Sequence, residues 1–299
     1  MSGHRHRALI LSLLIVILAG PALARATSID YVGTYVWSLP DADFGGFSAI
    51  EISEGGTRFH ALTDRAQIRW GEIERDAEGR IRALHVSGRA VLQDSQGRML
   101  RPGWQGDSEG LALDPLGGGF WVSFEGLDRV AYYDDADAPA TRLPIAEGFR
   151  DLPVNRGLEA LAADAHGTLY TLPELLPEGG DAFPVWRFRD GVWDQPFSLP
   201  GNSAWQAVGA DIGPDGRLYL LERSFQGILG FRSRIRRFSL SETGLSDEET
   251  LLESGRLQYD NLEGISAWDD GVGIRLTMIS DDNFMSFQRT ELVEYRIRD

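Results

Sequence analysis

Three glutamates recur in near-identical settings: Glu109 in "DSEGLALD", Glu159 in "RGLEALAAD" and Glu263 in "NLEGISAWD". Each stands before a small residue and an alternating apolar run, so each opens a strand. A second set of acids ends the strand that follows: Asp64, Glu125, Glu174, Glu222 and Asp281, with Asp282 and Asn283 beside the last. Carboxylates gathered in this way can hold a hard cation, and one left free can move a proton as a general base. With no cysteine and five histidines in the whole chain, the donor set is oxygen-based. That favours calcium, which accepts six to eight oxygens, over zinc or iron.

A competing chemistry lies in the same stretch, because Gly106-Asp107-Ser108-Glu109-Gly110 matches G-x-S-x-G. A nucleophile elbow requires a strand that turns into a helix, and here a strand follows Gly110. "LEGISAW" (262–268) repeats "SEGLALD" (108–114) with leucine in the serine position, so Glu-Gly is the shared feature and Ser108 is incidental. Beyond residue 26 the only histidines are His60, His85 and His166. None has a signature around it that would mark a triad partner.

The elements that must position the acids are hairpins. The segments 48–64, 109–125, 159–174, 208–222 and 263–281 share one plan: a small-residue strand, a turn rich in Gly, Asp and Pro, and an aromatic strand ending on an acid. Their starts lie 61, 50, 49 and 55 residues apart, the period of a four-stranded propeller blade. Further strand-like runs follow most hairpins, at 129–133 with 141–143, 185–189 with 192–199, and 234–240 with 249–253. The predicted fold is all-β, a β-propeller with five visible repeats and, in the long first spacing around 87–104, room for a degenerate sixth blade. An open β-sandwich would leave the long-range repeat without a reason. Only one strand, 290–298, follows the last hairpin, so the run 29–37 is expected to supply the missing outer strand and close the ring.

The first strand of each blade lines a central channel, so equivalent positions form a ring. That ring reads Ser48, Glu109, Glu159, Val208 and Glu263. Antiparallel pairing brings the second set of acids to the same end, giving one acidic mouth. Glu109, Glu159, Glu263 and Asp281 are the expected metal ligands, with a neutral oxygen from Asn283; Asn155 and Asn261 are placed to add others. Glu159 and Glu109 are the candidate catalytic carboxylates, and Arg156 or Arg223 would orient an anionic substrate group. Acids at strand ends also cap backbone N–H groups, the competing role for the second set. Core packing is the expected role of most tryptophans, whereas "SFQG" (224–227) and "NFMSFQRT" (283–290) carry loop aromatics suited to a pocket rim.

Composition narrows the partners. Residues 1–26 read as an export signal, with Arg5 and Arg7, an apolar run over 8–19 and A-x-A cleavage options near Ala24 and Ala26. The expected product is a single domain over 27–299, periplasmic or secreted, with no stable membrane insertion. Its 26 arginines face 45 acids, a formal charge of −19 against −16 for the whole chain. Nucleic acid is an unsuitable partner for such a charge. All basic residues are arginines, so lysine-nucleophile chemistry is excluded.

Taken together, "GFSAI" (46–50), "DSEGLA" (107–112), "NRGLEAL" (155–161), "LLERSF" (220–225), "NLEGIS" (261–266) and "ISDDNF" (279–284) resemble the bacterial phytase-like family with esterase-like activity. The resemblance spans nearly the whole chain after residue 26. It implies a propeller related to calcium-dependent phytases, which hydrolyse phosphate esters against bound calcium. Those proteins also gather lysines around phosphate, which this chain lacks. The expected function is thus a calcium-dependent hydrolase of a small phosphate or carboxylic ester. The alternatives are a non-catalytic propeller that binds a ligand or protein, and a calcium-dependent lactonase.

Overall fold

A computed structural model describes residues 28–152 and 157–298. The expected export signal and two of the singled-out residues, Asn155 and Arg156, lie outside the described residues. The described residues form five four-stranded antiparallel sheets. The first strand, β1 (Ser28–Val36), belongs to the last sheet. Blade one is β2 (Phe47–Ser53), β3 (Arg58–Thr63), β4 (Gln67–Arg75) and β5 (Ile81–Val91). Blade two is β6 (Ser108–Leu113), β7 (Phe120–Phe124), β8 (Arg129–Tyr133) and β9 (Thr141–Arg142). Blade three is β10 (Leu158–Ala163), β11 (Leu169–Pro173), β12 (Ala182–Arg189) and β13 (Val192–Pro200). Blade four is β14 (Gln206–Ile212), β15 (Arg217–Phe225), β16 (Phe231–Ser241) and β17 (Gly244–Glu253). Blade five is β18 (Asn261–Asp269), β19 (Ile274–Asp281) and β20 (Glu291–Arg298), completed by β1.

The N-terminal strand therefore supplies the outer strand of the last blade, from Ser28 opposite Arg298 to Val36 opposite Glu291. Each inner strand packs on the next, and β18 packs on β2, which closes the ring. Five blades fill it. The segment with room for a sixth ends β5 at Val91 and then makes turns and an isolated bridge between Gln93 and Met99, so it extends an outer strand and adds no blade.

The cores lie between blades. Leu62, Ile68, Val122 and Phe124 join blades one and two, and Ala112, Trp121, Leu161 and Trp186 join two and three. Phe47, Phe59, Trp268 and Ile279 seal the junction of five with one. Trp121, Trp186, Trp205 and Trp268 are buried as expected of packing residues, whereas Trp104 is exposed. The hairpin turns are pinned by aspartate side chains: Asp164 Oδ1 accepts the His166 and Thr168 N–H groups at 2.9 Å, and Asp114 Oδ1 accepts that of Leu116. His166 thus sits in a turn and not at a reactive centre.

Where the inner strands meet, a side chain has no room. A Cβ on Gly264 would lie 2.7 Å from the Ala49 Cα, and one on Gly110 would lie 2.6 Å from the Leu161 Cβ. The small residue after each ring position is therefore a packing requirement, and the axis there narrows to a cavity of about 10 Å³.

Candidate functional site

Every inner strand carries a β-bulge at one place. The register with the second strand slips between Phe47 and Ala49, Ser108 and Leu111, Leu158 and Ala160, Ala207 and Gly209, and Leu262 and Gly264. The ring residues Ser48, Glu109, Glu159, Val208 and Glu263 sit in these bulges. A bulge re-aims a side chain out of the regular pleat. In this way five strands send the same position toward the axis.

The second set meets them at that end with one exception. Asp281 pairs with Asn261 and Arg223 with Gln206, each one residue beyond the register of the bulge. The residue equivalent to Asp64, Glu125, Glu174 and Asp281 is therefore Arg223, and Glu222 is one position off. Because successive strand residues face opposite sides, Glu222 points away from the mouth. It is fully buried between Arg234 and Arg236, which reach it at 2.7–2.9 Å.

Arg223 then becomes the cation of the ring. Its guanidinium donates to Glu174 at 2.9 Å, to Asn261 at 3.1 Å and to Glu263. The NH₂ groups of Arg223, expected to orient an anionic substrate group, thus meet protein acceptors. Asn261, expected as a possible oxygen donor, is held by this same cluster and donates to Glu263 at 2.7 Å. Gln206 adds a 2.7 Å bond to Glu174.

Around the rest of the ring no described arginine hydrogen-bonds to Asp107, Glu109, Glu125 or Glu159, although the Arg223 charge also acts on Glu159. Asp107, Glu109 and Glu125 bring carboxylate oxygens within 4.8 Å of one another, and Glu125, Glu159 and Glu174 do the same. Glu125 accepts the Gly157 N–H at 2.8 Å, whereas no hydrogen bond from a described residue holds Glu109 or Glu159. Burial, then the neighbouring carboxylates, pushes Glu109 and Glu159 well above the usual carboxylate range. Burial raises Glu125 to about 7 and Asp281 to about 8, with Glu263 as the largest carboxylate contributor to the latter. Asp128 rises to about 6, again through burial, and its Oδ1 is buried with no hydrogen-bond partner among the described residues. Asp107 is a site residue that the repeat pattern missed, because it lies just outside a strand.

Asn283 is not brought to this cluster. It follows Asp281 in a left-handed turn (φ 47°), donates its N–H to Asp281 Oδ1 at 2.7 Å, and lines a separate groove with its side chain exposed. Asp282 is also structural: its Oδ1 accepts the Gly46 and Phe284 N–H groups at 3.0 Å. Arg65 stacks on Phe284, 3.4 Å from the ring centre, and Arg129 stacks on Phe124 while donating to the Leu127 and Gln105 carbonyls.

Ser108 is a structural link. Its Oγ donates to the Thr63 carbonyl at 2.6 Å and accepts the Ala66 N–H at 2.9 Å, tying blade two to blade one. It is fully buried. His60 is held near 4 by burial, and its Nδ1 has no partner among the described residues.

The sequence matches the family model described as phytase-like, esterase-like activity of phytase, over residues 42–284. The chain belongs to that family. No curated protein matches the sequence. Among solved structures, an α-L-arabinofuranosidase of Podospora anserina, in complex with cellotriose, is similar at a TM-score of 0.52 and 12% identity, over 92% of this chain and 98% of the other. A luciferin-regenerating enzyme is also 12% identical, with a TM-score of 0.44 over 92% and 96% of the two chains. At such identity the first of these likenesses speaks for the fold alone.

Proposed function

We propose that this chain is an exported, calcium-dependent hydrolase of small esters, working at the acidic mouth. One contrast carries the reading. Several buried acids are matched by arginine: Arg75 and Arg275 meet Glu294, and Arg275 and Arg296 meet Asp270. At the mouth, Asp107, Glu109 and Glu125 converge, as do Glu125, Glu159 and Glu174, and among the described residues arginine hydrogen-bonds only to Glu174 of these five. Uncompensated charge of that density calls for protons or a cation. The all-oxygen donor set fits a hard cation.

In this reading Asp107, Glu109, Glu125 and Glu159 hold the ion, and Arg223 confines it to their side by neutralising Glu174 and Glu263. When bound, calcium supplies Lewis-acid polarisation of the ester oxygen. Glu109 or Glu159, free of hydrogen bonds from described residues, has carboxylate oxygens available to accept a proton from attacking water. Because Arg223, Arg65 and Arg129 are engaged by protein groups, and the chain carries −16 overall, a neutral carboxylic ester suits the mouth better than a polyanionic phosphate.

The test is turnover of p-nitrophenyl acetate and p-nitrophenyl phosphate, with calcium and after chelation. The expected result is calcium-dependent release of nitrophenol from the acetate that falls by at least about 100-fold in Glu159→Gln, with the variant's melting cooperative. Turnover unaffected by both chelation and the substitution would refute the reading. No turnover by the calcium-bound protein would instead favour the non-catalytic binding propeller.

A further inference from the structure

A cavity of about 230 Å³ lies where the segment after β5 meets β8, β9 and the chain beyond β9. That segment adds no blade and is strapped to blade two instead. Gln93 bridges to Met99 and Pro139, its Nε2 donates to the Asp137 carbonyl at 2.8 Å, and its own carbonyl accepts the Tyr133 hydroxyl at 3.1 Å. The Leu100 N–H closes the loop onto the Leu92 carbonyl at 2.8 Å. The cavity therefore has a fixed wall on each side, with Leu100 on one and Val130, Ala131, Tyr133 and Leu143 on the other.

Two arginines, Arg129 and Arg142, line it as well. Arg69, Arg187 and Arg236 each meet two carboxylates, whereas neither Arg129 nor Arg142 has a carboxylate within ion-pair distance among the described residues. Arg129 lies 3.8 Å from the centre of the Phe124 ring and gives two of its five N–H groups to the Leu127 and Gln105 carbonyls, which leaves three that donate to no described residue. Asp128 acts on it only from beyond ion-pair distance. Burial pushes the Arg129 guanidinium down to about 10, and the Arg142 charge adds to the fall. The one acid lining the cavity, Asp94, is already spent: its Oδ1 accepts the Gln96 and Arg98 N–H groups at 2.8 and 3.0 Å, and its Oδ2 accepts the Arg98 Nε at 2.8 Å.

Two neighbouring cations without a counter-ion are stabilised by an anion that both can reach, and a guanidinium fork fits the two oxygens of a carboxylate. The apolar walls select an organic anion over a hydrated inorganic one, because burial of its body returns free energy that stripping a phosphate of water does not. A chain with a formal charge of −16 repels a multiply charged ligand more than a singly charged one. The volume admits a small molecule only.

We infer that this cavity is a binding site for a small organic monocarboxylate, its anion held by Arg129 and Arg142 and its apolar body laid against Leu100, Val130 and Leu143. The site is independent of the hydrolase reading. The experiment is equilibrium binding of benzoate, benzamide and inorganic phosphate to the protein in chelator, so that no ion at the mouth can hold the carboxylate. It is repeated with Arg142→Gln and Ile145→Glu, the second of which places an acid beside the arginines. Both positions are exposed, and melting curves check that the variants fold. Expected are saturable binding of benzoate, at least about tenfold weaker binding of benzamide and of phosphate, and a loss of at least about tenfold for benzoate in each variant, the scale of a hydrogen bond to a charged group.

Other results overturn it. Benzamide bound as tightly as benzoate would leave the arginines without a part in recognition. Phosphate bound as tightly as benzoate would remove the apolar body from the account. A benzoate affinity that either folded variant leaves unchanged would place the ligand elsewhere. No saturation up to about 10 mM benzoate would leave the protein without the site.

Discussion

Replacing Arg223 by methionine should leave Glu174 and Glu263 facing each other without their shared counter-ion. The guanidinium and both carboxylates are at least 86% buried by side-chain area, so water offers little compensation. Two unit charges about 4 Å apart at an effective dielectric near 20 attract by about 4 kcal/mol. After desolvation is recovered, removing one partner of a buried pair costs about 3–5 kcal/mol. In a domain of this size that is a fall in Tm of roughly 6–15 °C. The melt is followed at pH 8 in chelator, then at pH 5. Glu263 already has a raised pKa through burial, with Arg223 as the largest opposing influence, so losing the arginine raises it further. Sign follows from linkage: the variant's folded state binds more protons than its unfolded state above about pH 4, so its deficit shrinks at pH 5 and grows toward pH 8. A deficit below about 1 kcal/mol at pH 8, or one equal at the two pH values, would refute the assignment of Arg223 as the internal cation.

Two other outcomes follow from the same geometry. In chelator the wild-type protein should lose stability as pH rises from about 4 to 8, because Glu125 and Asp281, at about 7 and about 8 when folded, hold protons that the unfolded chain has released. Glu125 alone accounts for at most about 3 kcal/mol, less where water at the mouth screens it; melts that stay flat over this range would contradict it. Ser108→Ala should lower stability by about 1–3 kcal/mol, through the Thr63 and Ala66 bonds, and leave ester turnover intact. A folded, inactive Ser108→Ala would restore the nucleophile that the burial of this serine excludes.

The blades were legible because hairpins are local: a small-residue strand, a Gly/Asp turn and an aromatic strand can be read within twenty residues, five times over. Closure by β1 followed from the strand missing behind β19. Register was harder. In "LLER" an acid and an arginine stand side by side, and matching acid to acid selected Glu222, where pleat alternation places Arg223. The left-handed turn at Asn283 reversed another expectation, since a residue beside two aspartates reads as a donor until its backbone carries it outward. The opposite end of the channel was missed as well. Three positions past the bulge the ring reads Glu51, Ala112, Ala162, Asp211 and Ser266. Ser266 donates to Glu51 at 3.3 Å, and Asp211 accepts the Ala267 N–H at 2.7 Å. The same repeat alignment, followed three residues further, contains that signal.

The most direct measurement is calorimetric titration of chelated protein with calcium at pH 7.5, run beside Glu109→Gln and Glu159→Gln. The account predicts saturable binding with proton release, since acids kept protonated by burial must ionise to hold the ion, and at least one variant that remains folded while binding is lost. Absence of heat up to millimolar calcium, or equal binding by both folded variants, would contradict a cation site in the acidic mouth.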